Sequence, residues 1–159
     1  MSEGMSVLFE SAARPLLLAH AVFGFTAVFA STHHAAHAVL AALGRQQQRE
    51  LRRFGWITPA AVVVQMMLGL AIYPVYRVRV RAADFDRNAP AIAQLFDFKE
   101  HLAALALALA VGAALAGRLH DRDDPGAQRW SLAAVSLTGA VLLWACALIG
   151  LYVTARHPV

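Results

Sequence analysis

Apolar and polar positions along the chain sort into four long hydrophobic runs separated by three charged stretches. The runs cover residues 16–43, 57–76, 98–117 and 130–153, and the charged stretches cover 45–53, 77–97 and 118–129. Each run reaches or exceeds the ~20 residues that a helix needs to cross a ~30 Å hydrocarbon layer. Lipid offers no water to an unpaired backbone group, so a spanning segment must bond its own N–H and C=O groups. Short connections favour antiparallel neighbours. The pattern therefore predicts an all-α fold: a four-helix transmembrane bundle, up-down, with both termini on the same side and one integral membrane domain over residues 1–159.

Local signals refine the boundaries. Pro15 suits the first turn of the first helix. Thr58 and Pro59 mark the start of the second, and Trp56 and Trp130 fit an interfacial aromatic belt. Pro125-Gly126 turns the third connection. The second connection is the longest. It opens Arg77-Val78-Arg79-Val80-Arg81, an alternation that predicts an extended segment. Asn88 followed by Pro90 resembles a helix start, so 90–96 reads as an interfacial helix running into the third span. The first fourteen residues carry Glu3, Glu10 and a single arginine, unlike the basic start of a signal peptide, so the first run is read as a span.

Composition agrees with lipid as the solvent. The chain is 59% hydrophobic and 15% charged, against roughly half and a quarter in soluble domains. Its mean hydropathy is +0.54. The net charge of +4 comes from 14 Lys and Arg against 10 Asp and Glu. Most of these cations lie between or near the ends of the runs, which suits lipid headgroups or carboxylates. No basic patch is interleaved with aromatics, so nucleic acid is not an expected partner. Charge gives no orientation: Arg14, Arg77, Arg79, Arg81, Arg87, Lys99 and Arg156 fall on one side, and Arg45, Arg49, Arg52, Arg53, Arg118, Arg122 and Arg129 on the other. The single Cys146 permits no disulfide within the chain.

The candidate chemistry is histidine. His20, His33, His34 and His37 lie in the first run, where an imidazole without a partner is costly and so marks a functional site. In an up-down bundle the first and third helices run the same way. His20 and His101 both stand a few residues after the start of their runs, at similar depth. Two imidazoles facing one another across a bundle core are the axial ligands that a six-coordinate haem b takes. His20 shares its face with Gly24, Ala27, Ser31 and His34, and His101 with Ala104, Leu105, Ala108 and Gly112. Small residues there leave room for a porphyrin, and also simply let membrane helices pack closely.

His20 and His34 lie 14 residues apart, ~21 Å along a helix and ~40° around it. This spacing resembles the ligand spacing on one helix of two-haem cytochromes b. The resemblance covers that spacing alone: fourteen residues beyond His101 stands Leu115. A second haem at His34 would take its partner from Met66 or Met67, or else His37 and His120 would pair near the far interface. The rival use is a transition-metal ion. His33 and His37 are i,i+4 on one face, with His120 as a third ligand. Membrane desaturases and hydroxylases need several histidine-rich boxes, and this chain has one. His37 and His120 read equally as solvated interfacial residues, and His157 as solvent-facing.

At the start of the third run, Asp97 lies four residues before His101 and is placed to orient its imidazole. Lys99 and Glu100 read as snorkelling to the headgroups. Tyr73, Tyr76, Arg77, Arg79 and Arg81 approach the same side. Arg is the best side chain for haem propionates, and Tyr, His and a carboxylate would equally serve a quinone headgroup. Gln65 is expected to bond across the bundle. The expectation is a small cytochrome b-like subunit carrying one haem b, or two, held by His20 and His101, with His34, Met67, Arg77 and Tyr76 around the cofactors. It would pass electrons to or from quinone or other subunits of a membrane complex. Such a chain is an electron-transfer or anchor subunit rather than a stand-alone enzyme. The alternatives are a membrane protein that binds or transports Cu, Zn or Fe, and a non-catalytic scaffold.

Overall fold

The computed structural model describes residues 7–120 and 124–156; Arg122 and His157 lie outside them. After a short 3-10 turn come α1 (Ala13–Ala42), α2 (Gln48–Val75), a π-helical stretch (Tyr76–Phe85), the short α3 (Asp86–Asn88), α4 (Pro90–Leu119) and α5 (Gly126–Arg156). No strand occurs among the described residues. α1 packs on α2 and α5, and α4 packs on the same two, so α1 and α4 face each other across the diagonal of a four-helix bundle.

The packing is alanine inside and large side chains outside. Ala27, Ala30, Ala38 and Ala106 are fully buried, whereas Leu18, Val22, Phe25, Leu70, Leu115, Val141 and Leu148 are exposed. Water would drive those large residues inward. Lipid does not, and small residues let membrane helices approach closely. All four long helices are long and apolar enough to cross a membrane. This is the pattern of a multi-pass membrane protein.

Three packed layers run along the bundle. At the end where α1 begins, called here the upper end, Tyr76, Val80, Phe85, Ala93 and Val153 cluster. The middle layer holds Ala27, Val28, Ala61, Val62, Ala106 and Leu143. At the lower end Ala38, Ala41, Leu51, Ala113, Leu132 and Ala133 meet.

The second helix departs from expectation at both ends. It begins at Gln48, and Pro59 lies inside it. Thr58 Oγ1 donates back to the Phe54 carbonyl at 2.8 Å, and Pro59 has no N–H to offer the carbonyl of Gly55. Both devices are tolerated in membrane helices, where neighbours can take up freed backbone groups. At the other end, 77–81 is not extended. Pro74 removes one α-helical bond just upstream, and the chain continues as a wider π-helix. Its buried residues Tyr76, Val80 and Phe85 recur at four and five residues. An Arg–Val alternation that mimics a strand is thus carried on a wide helical turn. The interfacial segment 90–96 is helical as expected and continuous with α4, with Pro90 in its first turn.

Candidate functional site

His20 is half-buried on α1. Its Nδ1–H donates to the Gln65 carbonyl on α2 at 2.9 Å. This fixes the tautomer and leaves the Nε2 lone pair available, the arrangement found around metal-bound histidines. Backbone alone walls the ring on the α2 side: a Cβ at Gly69 would stand 3.2 Å from His20 Cε1. The Gln65 amide lies against Gly24 in the same way, 3.2 Å from where a Cβ would be.

On α4 the inward-facing group near His20 is Lys99. Its ammonium sits 5.0 Å from the centre of the Phe96 ring, and its stem runs past Gly150 of α5. Its carbonyl receives the Cys146 thiol at 3.7 Å. Lys99 therefore does not simply snorkel outward as its position near the end of a run implied. His101 stands two residues on, ~200° around the helix. It is exposed on the outer face, with Nδ1–H donated to the Asp97 carbonyl at 2.8 Å. No hydrogen bond or ring contact among the described residues joins it to His20. Turning one of Lys99 and His101 inward turns the other out.

The carboxylate of Asp97 is engaged elsewhere. Arg81 grips it in a fork, Nη1 to Oδ1 at 2.6 Å and Nη2 to Oδ2 at 3.0 Å, and also reaches Asp86 Oδ1 at 3.3 Å. Arg79 pairs with Glu10 at 2.8 Å. Arg77 is exposed and has no carboxylate partner among the described residues. The Tyr76 ring is buried and stacked on Phe96, centroids 4.2 Å apart, with its hydroxyl unpartnered.

In the middle of the bundle His34 is 4% exposed. Its Nε2 has no hydrogen-bond partner. A Cβ at Gly55 would lie 3.3 Å from that nitrogen, and one at Gly117 3.4 Å. Beside it is a cavity of about 10 Å³ lined by Ser31, Thr58, Gly139 and Ser136 among others, about enough for one water. A porphyrin does not fit there. Met67, its expected partner, is 62% exposed, and Met66 is the one packed against the interior.

His33 and His37 both stack on Phe54, at 5.1 and 5.7 Å between centroids. His37 Nδ1 also bonds Gln47 Oε1 at 2.7 Å. His120 is buried rather than solvated. Its Nδ1 meets Asp124 Oδ2 at 2.8 Å, and its carbonyl accepts from the Gln48 amide. Of the expected trio, His33 and His37 share Phe54, with 6.4 Å between their own ring centroids, whereas His120 is held apart from them by Asp124 and Gln48. No group of three His, Cys, Asp or Glu suited to a metal ion occurs among the described residues. Lys99, read from the sequence as snorkelling, is the residue whose inward placement the sequence did not indicate. Its only signal was a cation beginning an apolar run. No known protein family, curated protein or solved structure matches this chain.

Proposed function

We propose that this chain is a small membrane-embedded haem subunit that passes electrons to or from quinone or a partner protein, with His20 as one axial ligand and Lys99 as the facing donor. One observation carries the reading. An imidazole with a locked tautomer and a free Nε2 lies half-buried in an apolar bundle whose α4 also carries a lysine stem packed against α5. Ionisable groups at such positions are costly and usually employed.

The donor set fits haem iron: a neutral imidazole nitrogen and an amine that binds once deprotonated. When bound, the haem supplies a one-electron couple. The chain's own residues do the rest. The Gln65 carbonyl orients His20, and Gly69 keeps that wall free of side chain. Arg77, without a carboxylate partner among the described residues, is an arginine available to a propionate. The middle layer of Ala27, Val62, Ala106 and Leu143 excludes water from below.

The test is spectroscopic. Protein purified in mild detergent is expected to show a Soret band and a dithionite-induced α band. His20→Ala removes both, Lys99→Met changes the α band, and His101→Ala leaves the spectrum intact. A colourless, porphyrin-free protein contradicts the reading. Loss on His101→Ala with survival of Lys99→Met returns the ligand pair to His20 and His101. A second reading, a scaffold without cofactor, is favoured by the packing of His33 and His37 on Phe54.

A further inference from the structure

The lower end of the bundle carries a second, unrelated feature. A cavity of about 430 Å³ opens between the α1–α2 connection, the end of α4 and the start of α5. That volume is in the range of small-molecule sites. Arg45, Arg52, Arg118 and Arg129 line it, together with Gln48 and His120. None of the four guanidiniums pairs with a carboxylate among the described residues, and no carboxylate is among the lining residues. Arg129 Nε is buried with no hydrogen-bond partner among the described residues. The Arg118 guanidinium is held over the Trp56 ring at 4.5 Å. The fifth group is also arranged: the Gln48 amide bonds the His120 carbonyl across the cavity rim.

Four like charges around one space repel each other unless an anion lies between them. Guanidinium forks match the oxygens of a phosphate. Depth says where such a phosphate would come from. Trp56 and Trp130 are exposed beside the cavity, as interfacial tryptophans are, so the cavity sits at headgroup level. We infer that this cavity is a binding site for a phosphate group, supplied by the headgroup of an anionic phospholipid. It does not depend on the haem reading.

The experiment compares thermal unfolding in phosphatidylcholine nanodiscs with and without phosphatidylglycerol, and in detergent with inorganic phosphate or chloride at equal ionic strength. Phosphatidylglycerol is expected to raise the midpoint by roughly 3 °C, as ligand binding to the folded state does. The pair Arg118→Gln with Arg129→Gln removes most of that shift. The pair Arg49→Gln with Arg53→Gln, at the same end but outside the cavity, keeps it. The same pattern with inorganic phosphate alone supports the site and moves its source to a soluble phosphate compound. Equal losses in the two pairs mean general surface charge and overturn the site. So does a shift that emerges only after Asp121→Asn with Asp123→Asn, because the chain's own acids would then fill the cavity.

Discussion

The two ends of the bundle carry equal numbers of cations and treat them differently. Seven Lys and Arg belong to each end in the sequence. At the upper end Arg79 and Arg81 have acidic partners on other elements: Glu10 for one, Asp97 and Asp86 for the other. At the lower end the cavity arginines have none among the described residues, and the Arg53–Glu50 pair lies on α2 outside the cavity. The pairing at the upper end ties the π-helical stretch to the start of α4 and to the turn before α1. Those two arginines are matched by acids of the chain itself, and the interior there holds His20 and Lys99. At the lower end the charge itself is unbalanced, and the natural reading is a ligand from outside the chain. Charge count alone does not distinguish architecture from recognition; the partners do.

Several substitutions sharpen that contrast. The uncharged middle sets the scale: Gly55→Val forces a side chain against His34 and the Ala114 backbone, where a Cβ alone would stand 3.3 and 3.4 Å away. Overpacking of this kind costs about 1–3 kcal/mol, read as a lowered unfolding midpoint in detergent. Asp97→Asn at the paired end breaks the fork with Arg81. The side chains there are 25% and 40% exposed, so solvent screening limits the loss to about 1 kcal/mol. Arg129→Gln at the unpaired end has the opposite sign: without phosphate, removing one like charge leaves stability unchanged or slightly raised. A loss equal to that of Asp97→Asn would erase the distinction between the ends. The smallest effect is that of salt. Raising ionic strength from about 0.1 to 1 M shortens the screening length from about 10 to 3 Å. The gap in stability between Asp97→Asn and Arg129→Gln therefore narrows, and a gap that widens with salt contradicts the electrostatic origin of both.

The fold was legible because hydrophobic length is a strong signal: the four runs are the four spanning helices. Boundaries were less so. The polar turns 48–53 belong to α2 because a membrane helix extends beyond the hydrocarbon, and residues outside it need not be apolar. The Arg–Val alternation at 77–81 has the period of a strand, and only the register shift after Pro74 makes it a π-helix. The candidate site was read in part. Depth placed His20 and His101 at one level, but the structure turns His101 to the outer face and Lys99 inward, because the two occupy opposite faces of one helix and depth cannot choose between faces. The buried Nε2 of His34 and the cavity arginines come together only when the ends of several helices meet, which no local spacing records.

That His20 holds a haem is tested most directly by a pyridine haemochrome assay on the purified protein beside its His20→Ala variant. One haem b per chain in the first and none in the second is the predicted result. No haem in either, or equal haem in both, contradicts it.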